Sequence, residues 1–257
     1  MFTQFNLEFN ENLFQELAES VQFENITDDR QIANLVLTND MYVPIVRTTT
    51  KYNKPAQLFP KIYSDIADNI KNIAKTKDIH VDINNAMVEI YNTKYKTMKF
   101  HSDQALDLAK NSYICIFSCY SNSKADIRKL QIKNKSNDNS SEYSEILMKD
   151  NSVIIFSTET NKKYLHKIIL NNSNENNKNI QDKQNNKWLG ITFRLSHTFI
   201  KFINEVPYFM NNQELKIAND DERKEFYKCK GLENIKTDYN YPEIFYTISI
   251  SDTLMIK

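Results

Sequence analysis

From residue 86 onward the chain reads AMVEIY (86–91), TMKFHS (97–102), SYICIFSCY (112–120), DIRKLQI (126–132), SEILMK (144–149), SVIIFS (152–157), KYLHKIIL (163–170) and WLGITFRLSHTFIKFI (188–203). Each run is rich in the β-branched and aromatic side chains that pack well on a pleated surface. The runs are short and closely spaced, and no amphipathic helix separates them. That texture predicts a sandwich or barrel and argues against a parallel α/β sheet, which needs a helix between successive strands.

Working outward, the N-terminal part has a different periodicity. After Asn10, a candidate N-cap, Leu13, Phe14 and Leu17 recur at helical spacing. A second helix is expected from Pro60, with Ile62, Ile66, Ile70 and Ile73 on one face. Between them MYVPIVRTTTKY (41–52) has the composition of a strand. The expected organisation is one domain: a helical flank and substrate-lid region over 1–80, a β core over 81–203, and an extension over 204–257 packed on that core. Within the extension NYPEIFYTISISD reads as a packed tail or an added strand. The polar stretches 133–144 and 171–186 lack the apolar residues needed to pack and read as surface loops.

Composition sets limits on partners and compartment. Lys plus Arg and Asp plus Glu both total 33, so no net charge steers the molecule toward a polyanion or an anionic membrane, and nucleic-acid affinity has to come from a local patch. Cys115 and Cys119 lie inside an apolar run and read as small core residues, and with Cys229 the count is odd. A reducing, intracellular compartment, cytoplasm or nucleus, is expected. The start MFTQFNLEFNENLF lacks the pattern of a secretory leader, and no apolar stretch reaches the about 18 residues that a membrane helix requires. Only two glycines occur, so a glycine missing from a motif carries little weight in this chain.

The segment with chemical content is FHSDQ (100–104). On a strand, residues i and i+2 share a face, so His101 and Asp103 would project an imidazole and a carboxylate together. A third candidate, His166, sits in the apolar run KYLHKIIL. Two histidines and one carboxylate leave coordination positions open on a metal, the donor set that favours non-haem Fe(II) oxygen chemistry. Arg194, in the middle of the apolar run ITFRLS, requires an anionic partner, and its planar fork matches a carboxylate. Each residue also has a plainer reading: His101 and Asp103 as a hydrogen-bonded surface pair, His166 as a core histidine, Arg194 as the partner of a structural carboxylate. His80 and His197 are assigned no role.

Taken in order, the segments between about 41 and 203 resemble the AlkB-like family of 2-oxoglutarate dioxygenases: VPIVRTTTKY, a helix, MVEIYN, a hairpin, FHSD, SYICIFSCY, IIFSTETNKKYLH and ITFR. The resemblance implies a double-stranded β-helix, or jelly-roll, core with flanking N-terminal helices. It implies that His101, Asp103 and His166 hold Fe(II), that Tyr91 reaches the 2-oxoglutarate cosubstrate, that Arg194 binds one of its carboxylates, and that O2 is the oxidant. It also implies oxidative demethylation of alkylated DNA or RNA bases. The family's terminal motif usually carries two arginines six residues apart, but six before Arg194 is Trp188 and six after it is Ile200. Lys187 is the nearest upstream cation and is kept as a further cosubstrate candidate. Glu89 stands where relatives often have asparagine.

On the substrate side the candidates are Arg47, Lys51, Tyr52 and Lys54 in RTTTKYNK, with Arg128 and Lys129 in the strand after SYICIFSCY. Cations around an aromatic ring can grip phosphates while the ring stacks a base. Two other functions fit the same residues: a hydroxylase or demethylase of a protein or small molecule, and a non-catalytic binding module. Fold and metal site alone do not choose among them.

Overall fold

The computed structural model describes residues 1–125, 127–136, 142–171 and 185–256. Much of the two expected polar loops, 137–141 and 172–184, lies outside the described residues, as does Asp126 of the expected strand 126–132. The strands, in chain order, are β1 (Thr3–Asn6), β2 (Glu24–Thr27), β3 (Arg30–Val36), β4 (Val43–Pro44), β5 (Gln57–Leu58), β6 (Asn85–Tyr91), β7 (Tyr113–Tyr120), β8 (Arg128–Asn134), β9 (Ser144–Leu147), β10 (Ser152–Ser157), β11 (Tyr164–Leu170), β12 (Trp188–Arg194), β13 (Phe199–Ile203), β14 (Val206–Phe209), β15 (Lys216–Ile217) and β16 (Tyr246–Thr247). The helices are α1 (Phe14–Glu19), α2 (Lys61–Lys75), α3 (Thr158–Lys163) and α4 (Asp220–Ile235), with a 3₁₀ turn at Ile250–Thr253.

The large sheet runs β1-β10-β7-β12-β6-β3-β2, with β5 added in parallel to β3. Antiparallel pairing along this order aligns the rows Arg30–Tyr91–Trp188–Tyr120 and Ile32–Glu89–Gly190–Ser118. Because side chains alternate across a strand, the sheet has two unlike faces. The outer face carries Ala33, Leu35, Ala86, Val88, Cys115, Phe117, Val153, Ile155, Leu189, Ile191 and Phe193, packed against Tyr63, Ile66, Ala67, Ile70 and Ala74 of α2. Full burial of an aliphatic or aromatic side chain of this size contributes about 1.5–3 kcal/mol. On the inner face lie Tyr91, Ile114, Ile116, Tyr120, Ile154, Phe156 and Trp188. They are covered by the small sheet β11-β8-β9 through Leu130, Ile132 and Ile168. A third sheet, β14-β13-β4, closes one end around Ile45, Ile200 and Phe209. The architecture is a mostly antiparallel jelly-roll core with α1 and α2 on the outer face of the large sheet.

The structure departs from the sequence expectations at identifiable places. Residues 1–80 are not only a helical flank, since β1, β2, β3 and β5 all extend the large sheet. β3 alternates faces, but its inward positions include Arg30 and Asn34, so its apolar period is broken in the text. In 41–52 only Val43–Pro44 pairs in a ladder, against Ile200 and Phe199 of β13. Segment 97–102 makes isolated bridges, Thr97 to Ile169 and His101 to His166, and no strand. The run 188–203 breaks at Ser196, whose hydroxyl contacts the carbonyls of Ile45, Asp107 and Thr198. Helix α1 begins beside Asn12, whose side chain accepts from Phe14 N, and not at Asn10. The tail does pair as a strand, β16 lying parallel to β15. No helix among the described residues is long and apolar enough to cross a membrane.

Candidate metal centre

His166 lies on β11, whose strand position is fixed by its ladder with β8. His101 joins it from outside that ladder through two backbone hydrogen bonds, His101 N to His166 O at 3.0 Å and His166 N to His101 O at 2.7 Å. Residues directly opposed in an antiparallel bridge put their side chains on one side, and the two rings stand 4.7 Å apart between centroids. Asp103 follows two residues later. Its carboxylate Oδ1 is 3.3 Å from His166 Nε2. One donor atom from each of His101, Asp103 and His166 falls within 4.8 Å of the others, close enough to share one cation.

The backbone of Asp103 is clamped by the buried Asn161 of α3, which accepts from Asp103 N and donates to Asp103 O, both at 2.8 Å. Ser157 caps α3 by accepting from Thr160 N, which explains why the chain turns through TETNKK before β11 and presents Asn161 inward. The other carboxylate oxygen, Oδ2, accepts from Arg194 Nε at 2.8 Å and lies 2.6 Å from Nη2.

Electrostatics keep Asp103 and His101 in metal-binding form. Burial opposes ionisation of Asp103, but Arg194, His166 and His101 outweigh it and hold the carboxyl well below its usual range. Burial, then the neighbouring His166, pushes the His101 imidazole down to about 3, so it is neutral. Its Nδ1 lies 3.0 Å from the Lys99 carbonyl, which only a protonated nitrogen can satisfy, and Nε2 keeps its lone pair. His166 Nδ1 is buried with no hydrogen-bond partner. An ionised Asp103 carboxylate beside a neutral His101 imidazole, with a buried His166 nitrogen left without a partner, fits a divalent cation.

Beside the triad opens a cavity of about 110 Å³. Arg30, Thr48, Thr50, Tyr52, Met87 and Lys230 line it together with His101, Asp103 and Arg194. Three cations thus line a space next to the metal position, each paired with a carboxylate: Arg30 with Glu89, Arg194 with Asp103 and Lys230 with Glu233.

The candidates named from sequence fall in different places. Arg194 is bonded to Asp103, a metal-ligand candidate, where a cosubstrate carboxylate was expected. Tyr91 is fully buried, donates its hydroxyl to Glu89 Oε1 at 2.8 Å and stacks on Tyr95, so it does not line the cavity. Lys187 is exposed and its backbone pairs with Ser121, away from the triad. The position six before Arg194 is filled by the Trp188 indole, which lies so close over Gly190 that a Cβ there would meet the ring at 2.0 Å.

Among the substrate candidates Tyr52 lines the cavity, Lys51 is exposed beside it, and Lys54 donates to the Phe23 carbonyl. Arg47 is turned inward, paired with Asp107 at 2.7 Å and donating to the carbonyls of Ile244 and Tyr246. Arg128 is fully buried and serves the carbonyls of Tyr95 and Asn92. Lys129 pairs with Glu145. A buried guanidinium needs such partners, and both arginines found them inside the fold.

Sequence reasoning missed Arg30, Lys230 and Asn161. Arg30 arrives from β3 and is held by Glu89, with Nε at 2.9 Å and Nη2 at 2.5 Å from Oε1. That opposite charge raises its already high pKa further, against burial. The one available signal was Glu89 itself, an acid in an apolar strand that had to have a cation across the ladder.

Comparison with known families agrees with this geometry. A profile described as "2OG-Fe(II) oxygenase superfamily" matches residues 10–194, well over half of the chain. The chain belongs to the 2OG-Fe(II) oxygenase superfamily, whose members use Fe(II), 2-oxoglutarate and O2, and it is an iron- and 2-oxoglutarate-dependent dioxygenase. Among solved structures, one titled "The structure of OsALKBH1" is similar with a TM-score of 0.44 and 13% identity, covering 67% of this chain and 83% of that chain. A comparison with curated protein sequences finds no match.

Proposed function

We propose that this dioxygenase oxidatively demethylates alkylated bases in nucleic acid, with His101, Asp103 and His166 holding the iron. The observation that carries the reading is the cavity beside the triad, where Tyr52 and the threonines Thr48 and Thr50 offer a flat wall and hydroxyls beside the Glu89-paired Arg30 and the Glu233-paired Lys230. Bound iron supplies oxygen activation, coupled to conversion of 2-oxoglutarate to succinate and carbon dioxide. The chain's own residues do the rest. Arg194 and Asn161 hold Asp103, the Lys99 carbonyl orients the His101 ring, and the cavity wall excludes water and presents the substrate. A hydroxylated N-methyl group leaves as formaldehyde, and a base in a duplex has to be flipped out to reach the cavity.

A second reading has its own observation. Arg47 and Arg128, the arginines suited to phosphate contact, are both internal. That favours a protein or small-molecule substrate for the same iron chemistry. One assay separates the two: the protein is reconstituted anaerobically with Fe(II), given 2-oxoglutarate and O2, and succinate and formaldehyde are followed with and without methylated oligonucleotides. The proposal expects stimulated succinate and stoichiometric formaldehyde. Succinate that ignores every methylated DNA and RNA probe would favour the second reading.

A further inference from the structure

We infer that the last turn of α4, through Asn234 and Glu233, is a positioning element of the metal centre; the inference rests on the triad being the iron site. The segment His101–Ala105 carries two of the three ligands, yet only His101 is paired to a strand. Its remaining buried backbone groups require partners from elsewhere. Asn161 serves Asp103 from one side. From the other side Asn234 Oδ1 accepts from Ser102 N at 3.1 Å and from Ser102 Oγ at 3.2 Å, and Glu233 Oε1 accepts from Ala105 N at 2.8 Å. Lys230 Nζ donates to Ser102 O. Ser102, immediately before Asp103, and Ala105, two residues after it, are therefore tied by hydrogen bonds of 2.5 to 3.2 Å to a single helical turn.

That turn is itself immobilised. Glu233 is buried, and its Oε2 accepts from Lys230 Nζ and Tyr241 Oη, each at 2.8 Å. Its main-chain carbonyl, one of those a helix end leaves open, accepts from Lys135 Nζ at 2.7 Å. At the other end a capping box between Asn219 and Glu222 fixes where α4 begins. The helix lies wholly beyond residue 194, where the superfamily match ends. It is a part of this chain that the shared core does not include, and it reaches back to the ligand-bearing segment. Partners that orient metal ligands from behind typically change affinity by about 10–100-fold when removed.

The test compares Asn234→Ala, which removes the acceptor, with Asn234→Asp, which keeps an oxygen for both Ser102 donors. Co(II) is titrated into metal-free full-length protein, following its visible absorption, and metal-free thermal unfolding is recorded in parallel. The expected result is about tenfold weaker Co(II) binding and an altered spectrum for Asn234→Ala, with both restored in Asn234→Asp. Asn234→Ala that folds and binds Co(II) like the parent overturns the inference. Should Asn234→Ala not fold, Ser102→Ala removes one of the two donors, and parent-like Co(II) binding there overturns it equally. Failure of the parent to bind Co(II) at all would instead remove the triad reading on which it stands.

Discussion

Two buried arginines reach the inner side of the large sheet from opposite ends of the site, and they are satisfied in opposite ways. Arg194 gives Nε and Nη2 to one carboxylate, Asp103, whose other oxygen faces His166. Arg128 makes no carboxylate ion pair among the described residues; it donates to two main-chain carbonyls and lies against the faces of Tyr91 and Tyr95, 5.5 and 5.9 Å from their centroids. The contrast separates chemistry from scaffold. At the Arg194 end, charge is concentrated on a group that a cation can share. At the Arg128 end, Tyr91, Tyr95 and Trp188 fill the space, and burial lowers the guanidinium to about 10 against the opposing pull of Tyr91 and Tyr120.

The largest expected effect follows from breaking the first arrangement. Arg194→Met leaves Asp103 buried without its counter-charge and should cost about 3–5 kcal/mol, with loss of divalent-metal binding, read by urea unfolding and metal titration. The sign with pH is determined by Asp103. Its folded pKa is depressed, so it contributes stability above the unfolded carboxyl range, and that contribution disappears as pH falls through the folded value. Arg194→Met should therefore also unfold at a higher pH on acid titration than the parent.

Breaking the second arrangement should be milder and chemically silent. Arg128→Met strips donors from the carbonyls of Asn92 and Tyr95, for about 2–4 kcal/mol by unfolding, while metal affinity stays at the parent value. Weakened metal binding in that variant would erase the distinction between the two ends. The smallest effect concerns Asp252, behind the Arg47–Asp107 pair. Burial, with Asp107 adding, pushes its carboxyl up to about 7, against the Thr247 hydrogen bond and Arg47. The folded chain then binds a proton more tightly than the unfolded one, so this group's contribution to stability falls as pH rises from about 4 to about 7. Asp252→Asn should flatten that slope and stabilise the protein at pH 7 by on the order of 1 kcal/mol, seen as a pH-dependent difference in melting temperature.

The same contrast explains what could be read from the text. His101, Asp103 and His166 were legible because metal donors are few and two of them share an i, i+2 spacing, although the backbone that delivers them is an extended segment held by a two-bond bridge and not a full strand. β6, β7, β10 and β12 were legible because their outer faces are uninterrupted aliphatic and aromatic surface. β3 was not, since Arg30 and Asn34 face inward to do polar work. Arg47 and Arg128 look like phosphate-gripping cations in one dimension; only the fold shows Asp107 and two carbonyls waiting for them. Helix α4 carried a visible signal, Asn219 followed three residues later by Glu222, but its contact with Ser102 spans a separation that no local pattern records.

The most direct measurement is iron content together with succinate release for the parent, Asp103→Ala and His166→Ala, each loaded anaerobically with Fe(II) and then given 2-oxoglutarate and O2. One tightly held iron per chain and succinate formation are expected in the parent, with both lost in the two variants. Undiminished iron and succinate in His166→Ala would contradict a centre built from two imidazoles and a carboxylate.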